Sequence, residues 1–189
     1  MSMQTELKRI IQAIYTKNAY ALLSASSLSL KLKWASVAFV EEVLQKLCDE
    51  GLLDLVGGIY KNAQIDIANI ETLIEDKLYE TLFQAEFTPD APYNIYDELD
   101  IDRKMGDDAL KGLTHAKKVV RLEHNLFVTT TALSAMMAHL RDIMRKEEGV
   151  DIKSFKEHFN LSRKYLVAYL DYLDNFDDVK KEENKRVLV

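Results

Sequence analysis

The chain has 189 residues, 48% of them hydrophobic and 30% charged, with only six Gly and two Pro. These proportions exclude a disordered or low-complexity polypeptide and describe an ordered, largely helical one, in one large domain or two to three small ones. The formal net charge of -6 excludes a protein that coats nucleic acid over its whole surface, but it leaves room for a local basic site. No apolar run approaches the length of a membrane span. The opening Met1-Ser2-Met3-Gln4 has neither the basic start nor the apolar core of a signal peptide. Cys48 has no second cysteine to pair with and fits a reducing compartment, so a cytoplasmic protein without a membrane partner is expected.

The elements repeat. Leu7, Ile10, Ile11, Ile14 and Tyr15 carry the spacing of an amphipathic helix. A polar stretch with Ser24, Ser26 and Ser27 leads to a second short helix around Leu28–Leu32. A third places Val40, Val43, Leu44 and Leu47 on one face and stops at Gly51. Strands at Leu52–Val56 and Ile59–Asn62 flank Gly57-Gly58, a hairpin turn.

The same order returns. Ile70, Leu73, Ile74, Leu78 and Leu82 form a helical stripe, and Thr88-Pro89 through Pro92 break the chain. A short helix near Tyr93–Leu99 and another from about Arg103 to His115 follow. Val120 and Leu122 then face Leu126 and Val128 across a turn at His124-Asn125. A third round has a long helix bearing Leu133, Met137, Leu140 and Met144 and ending near Gly149. After it come Lys153–Phe159, the turn Asn160-Leu161, and a helix capped by Ser162 that buries Leu166, Tyr169, Leu170 and Leu173. Strands at Asp178–Lys181 and Lys185–Val189 close it. Three helices and two short strands, three times over, predict a mainly α protein with small β-wings: tandem winged helices at 1–65, 66–130 and 131–189. The absence of Gly-, Pro- or Ser-rich linkers predicts an elongated, semi-rigid arrangement.

No catalytic constellation stands out. The chain lacks phosphate-binding glycine loops of the G-x-x-x-x-G-K-[ST] and G-x-G-x-x-G types. His115, His124, His139 and His158 are dispersed, with no metal-ligand spacing. Cys48 lies in an apolar stripe and reads as a structural thiol. The acidic run Asp97–Asp102 lacks the glycine and distal Glu of a calcium loop and reads as a solvated helix-turn surface. Met136, Met137 and Met144 read as core or inter-domain filler, and Trp34 as packing at a domain edge, with stacking on a ligand as the other reading. Binding rather than catalysis, with no cofactor or metal in this chain, is the expectation.

The basic residues point to one end. Residues 151–189 hold eight Lys/Arg against eight Asp/Glu, so the rest of the chain carries the whole deficit. Arg163 and Lys164 fall in the first turn of a helix, where free N–H groups already favour a phosphate. Cations are the wrong sign for that turn, which hints at a partner. Lys180, Lys181, Lys185 and Arg186 straddle a ribbon turn at Glu182–Asn184. A solvated wing balanced by Glu182 and Glu183 is the alternative.

The stretch DIKSFKEHFNLSRKYLVAYLDYLDNFDDVKKEENKRVLV resembles the last domain of the bacterial selenocysteine-specific elongation factors. Ser162-Arg163-Lys164-Tyr165 match the turn of that domain, Tyr169-Leu170-Asp171-Tyr172-Leu173-Asp174 its helix, and Lys185-Arg186-Val187-Leu188 its final strand. The resemblance is specific over about the last forty residues and extends upstream in architecture alone. It implies that this chain is a C-terminal part, holding the second to fourth winged helices of a protein whose absent N-terminal module binds GTP and Mg.

That resemblance also implies a monomer that grips an mRNA hairpin, with the ribosome and selenocysteinyl-tRNA reached through the rest of the parent. Ser162, Arg163, Lys164 and Tyr165 would meet the loop backbone and an exposed base, with Lys180, Lys181, Lys185 and Arg186 on flanking phosphates. The chain departs from the family in the wing, where Lys180-Lys181 replace an Arg-Arg pair and Glu182-Glu183-Asn184 a Gly-Asp-like turn, which loses the fork geometry of arginine. Two alternatives remain open: a winged-helix DNA-binding regulator, which would dimerise and prefer duplex, and a protein-interaction scaffold.

Overall fold

The computed structural model describes residues 2–189. Helices α1 (Met3–Lys17), α2 (Ala25–Leu32) and α3 (Val37–Asp49) precede the hairpin of β1 (Leu53–Val56) and β2 (Ile59–Asn62). Next come α4 (Ile70–Ala85), α5 (Pro92–Glu98), α6 (Arg103–His115), β3 (Val119–Glu123) and β4 (Leu126–Thr129). The last set is α7 (Thr130–Glu147), α8 (Ile152–His158), α9 (Arg163–Leu173), β5 (Val179–Glu182) and β6 (Lys185–Leu188). Each strand pair is a separate antiparallel sheet. Helices joined to small antiparallel wings make the α+β winged-helix class expected from the sequence.

The chain divides into two compact units, one made of residues up to Leu78 with Tyr93–Leu110, the other of Tyr79–Pro92 with Lys111–Val189. The middle set of elements is therefore shared between them, with α4 and α6 running through the division. No helix among the described residues is long and apolar enough to cross a membrane.

In the first unit the i, i+4 stripe of α1 buries Leu7, Ile11 and Tyr15 against Val40, Val43, Leu44 and Leu47 of α3. Gly57 and Gly58 turn the hairpin with φ of 58° and 83°, a left-handed conformation that a side chain resists. Cys48 packs at the edge of this core, and burial pushes its thiol pKa up, away from reactivity.

The acidic run is not a solvated surface, contrary to expectation. Asp100 and Asp102 are buried, because partners far away in sequence close over them. Asp102 accepts hydrogen bonds from the hydroxyls of Ser24 and Ser27 and, at 3.1 Å, from the Met105 N–H that opens α6. Lys31 pairs with Asp100 at 3.2 Å, and Arg103 forks onto Asp97.

In the second unit α7 buries Met136, Met137, Leu140 and Met144 with Phe155 of α8 and Leu166, Tyr169, Leu170 and Leu173 of α9. The methionines are core, as their spacing predicts. Trp34, in the first unit, is 43% exposed.

Candidate nucleic-acid interface

The C-terminal winged helix is assembled by three devices. Asp151 caps α8 through a capping box with Ser154, and the Ser154 backbone N–H foremost holds the Asp151 carboxyl below its ordinary range, with Lys185 contributing. Val150 then exchanges backbone hydrogen bonds of 2.9 Å in both directions with Arg186, a single antiparallel bridge that fastens the wing to the start of α8. That approach requires Gly149: its φ is 138°, and an added Cβ would stand 3.2 Å from Val187 and 3.3 Å from the Arg186 carbonyl.

Helix α9 opens at Ser162, whose backbone takes the extended conformation of an N-cap. Its hydroxyl makes no capping bond, which corrects the expectation of a side-chain cap. The other two equivalent helix starts are filled. Ser36 accepts from the Phe39 N–H at 3.3 Å, and the α6 start carries the Asp102 carboxylate. Only at α9, among these three, is the hydroxyl left over and no carboxylate present to answer the dipole.

Arg163 and Lys164 are exposed, and neither is in an ion pair among the described residues. The contrast with α6 is direct, since Arg103 at the matching place is spent on Asp97 and on the ring of Tyr93, 4.7 Å away. The Lys164 ammonium lies 4.7 Å from the centre of the Tyr165 ring. Tyr165 is half-buried, and its phenol donates to the Pro89 carbonyl at 2.8 Å, as Tyr169 does to Phe87 at 2.6 Å. The Tyr165 ring is thus anchored at its tip while one flank stays at the surface under a lysine.

In the wing, β5 and β6 pair Lys180 with Val187, Lys181 with Arg186 and Glu182 with Lys185, leaving Glu183-Asn184 as the turn. Glu182 belongs to the strand, one residue beyond the expected boundary. Lys180, Lys181 and Lys185 are exposed; Lys180 pairs with Glu182 at 3.2 Å, while Lys181 and Lys185 are in no salt bridge among the described residues.

Arg186 is the exception. It is only 6% exposed, and its guanidinium forks onto Asp174 and also reaches Asp171 at 3.1 Å. Its charge is neutralised inside the protein, so its place is under the wing and not on a phosphate. Asp171 and Asp174 thereby hold Arg186, a pairing that the charge pattern did not single out. The strand alternation held the signal: Leu188 faces the core, so Arg186, two residues earlier, does too.

Residues 142–188 match the family model of the winged helix of elongation factor SelB. The last winged helix of this chain is of the SelB type. The fold agrees beyond that segment. The mRNA-binding domain of elongation factor SelB from E. coli, solved in complex with SECIS RNA, is 13% identical with a TM-score of 0.57, and the match covers 65% of this chain and 98% of that one. A bacterial selenocysteine-specific elongation factor, EF-Sec, is 18% identical with a TM-score of 0.50, over all of this chain. The chain spans 30% of the length of that elongation factor. No curated protein sequence matches the chain. The free Ser162 hydroxyl, Arg163, Lys164 and the wing all lie inside the SelB-type segment.

Proposed function

We propose that this chain is the mRNA-hairpin-binding part of a selenocysteine-specific translation elongation factor. The observation that carries the proposal is the start of α9: an uncommitted Ser162 hydroxyl, a helix dipole without a carboxylate, and two unpaired cations, all within the segment of SelB type. Such an arrangement suits a phosphate of a folded-back strand and little else. The half-exposed ring of Tyr165, next to Lys164, offers a small platform for one unstacked base.

A site of this size fits the tip of a hairpin and not a long duplex. Lys181 and Lys185 on the wing add phosphate contacts, Lys180 can exchange its exposed Glu182 partner for one, and Arg186 fixes where the wing stands. The acidic remainder of the chain discourages indiscriminate RNA binding. In this reading the GTPase, its GTP and Mg, the selenocysteinyl-tRNA and the ribosome are engaged by the rest of the parent protein, and this chain binds without catalysing.

The test uses hairpins selected by the wild-type chain from a library with a randomised loop. Tight binding with a log–log salt slope of about -2 to -4, for roughly three or four neutralised phosphates, is expected. Arg163→Ala should cost about 1–3 kcal/mol of affinity. Indifference to loop sequence, or a preference for duplex DNA, would overturn the proposal.

A further inference from the structure

Among the described residues of the second unit, a further group of cations without ion pairs lies along the β3–β4 ribbon. Between Lys111 and Val128 stand Lys111, Lys117, Lys118 and Arg121 against the single carboxylate of Glu123. All four cations are exposed. None has a carboxylate partner among the described residues, whereas Arg141 and Arg145 of the same unit are each neutralised by an aspartate. Lys117 and Lys118 form the turn into β3, and Arg121 stands further along the strand.

Arg121 is held without being discharged. Its guanidinium donates to Nδ1 of His124 at 2.8 Å and to the carbonyls of Glu123 and His124 at 3.3 Å. It also lies 5.8 Å from the centre of the Phe127 ring. None of these partners is a carboxylate, so the positive charge is kept at the ribbon tip. Lys118 leans over the ring of Tyr79, 6.0 Å from its centre, which orders the ammonium without neutralising it.

The opposite side of β3 joins this ribbon to the RNA-binding helix. Val120 and Leu122 pack against the core that contains Leu166, Leu170 and Leu173 of α9, and Val120 lines one groove with Tyr172 and Phe176. The ribbon therefore rests near the C-terminal end of α9. Eleven residues at 1.5 Å each put the basic start of that helix on the order of 16 Å away. An RNA held by its loop at Arg163 reaches Lys117, Lys118 and Arg121 only through a stem longer than a few base pairs.

We propose that this second ribbon is a sequence-indifferent contact for the phosphate backbone of the stem of the same hairpin. The chemistry is that of backbone binding: cations on a strand edge, with the two nearby aromatics, Phe127 beside Arg121 and Tyr79 beside Lys118, each half-buried and covered by its cation. Two linked contacts on one RNA raise the effective concentration of the second, so weak lysine–phosphate pairs become worthwhile. The inference rests on the hairpin-binding reading of α9.

The experiment uses the full chain and two hairpins with one selected loop, one on a stem of a few base pairs and one on a stem of about 16 base pairs, the reach of duplex-reading proteins. The Lys117→Ala/Lys118→Ala/Arg121→Ala variant should bind the short-stem hairpin as the wild type does. On the long stem it should bind about tenfold more weakly at physiological salt, with a log–log salt slope shallower by about 2–3. Arg121→Lys should keep most of the long-stem advantage, since charge and not fork geometry is used.

Wild-type chain that binds both stems equally overturns the proposal, as does a triple variant that weakens both to the same degree. A variant that loses only a loop-free duplex, and not the long-stem hairpin, assigns the ribbon to a separate RNA and also overturns it. Failure of the hairpin reading itself shows independently, as a wild-type chain with no affinity for the short-stem hairpin.

Discussion

Arg186 reaches back from the last strand to Asp174 at the end of α9 with two nitrogens, Nε at 3.0 Å and Nη2 at 2.9 Å. The pair ties the wing to the helix whose opposite end carries Arg163 and Lys164. Asp171 takes a third bond from the same guanidinium. Asp171 and Asp174 thus fix how the wing stands against α9, and the guanidinium of Arg186 is spent on that geometry.

Arg186→Ala should lower stability by about 2–4 kcal/mol, read by urea denaturation, since removing one partner of a buried pair leaves the other uncompensated. The loss falls short of a fully buried pair because Asp171 and Asp174 remain partly exposed. Arg186→Lys should restore the charge but not the fork, and recover only part. Unchanged stability with weakened RNA binding would instead make Arg186 a phosphate ligand.

Ser162→Ala should leave stability within about 0.5 kcal/mol of the wild type, because its hydroxyl caps nothing. Ser36→Ala, which removes a cap bond of 3.3 Å, should cost about 1 kcal/mol in the same thermal melt. Hairpin affinity should respond the other way round, falling for Ser162→Ala and not for Ser36→Ala. Equal stability costs at the two serines would refute the assignment of a free hydroxyl.

Gly106→Ala tests the packing of α6 on α5. A Cβ there would stand 2.7 Å from three atoms of the fully buried Tyr96 ring. Alanine gains about 1 kcal/mol of helix propensity over glycine. The overlap should outweigh that gain, for a net loss of about 1–3 kcal/mol in denaturant unfolding. Tyr96→Leu in the Gly106→Ala background should relieve part of it.

The pH profile should be limited on both sides. Burial, as the leading cause, pushes the phenols of Tyr15, Tyr96 and Tyr169 above their ordinary value of 10.0. Their folded values are raised, so their contribution is complete below pH 10.0 and is lost as pH rises through the folded values. Tyrosinate absorbance should appear for these three together with unfolding by circular dichroism, and an earlier, non-cooperative appearance would count against burial. At acid pH the depressed Asp151 carboxyl contributes above 3.8 and is lost as pH falls below that value through its folded one.

Much of the fold was legible in the apolar spacing. The boundaries of α6 and the buried faces of α7 and α9 follow from Leu110 and Leu113, from Leu133, Met137, Leu140 and Met144, and from Leu166, Tyr169, Leu170 and Leu173. Less of the site was legible. Asp102 read as solvated because its partner Ser24 lies 78 residues away. Ser162 read as a cap because its type and place are those of a cap, while whether a hydroxyl turns to its own helix is a matter of rotamer and not of identity.

By itself the sequence determined where helices and wings lie and where positive charge collects, since periodicity and local charge are properties of neighbours along a chain. Only the tertiary structure decided which of those charges are spent. Arg186 and Arg103 are discharged by aspartates brought to them by packing, whereas Arg163, Lys164, Lys117, Lys118 and Arg121 are in no ion pair among the described residues. A guanidinium beside a carboxylate is neutral to a distant phosphate, and that pairing exists only once the chain has folded.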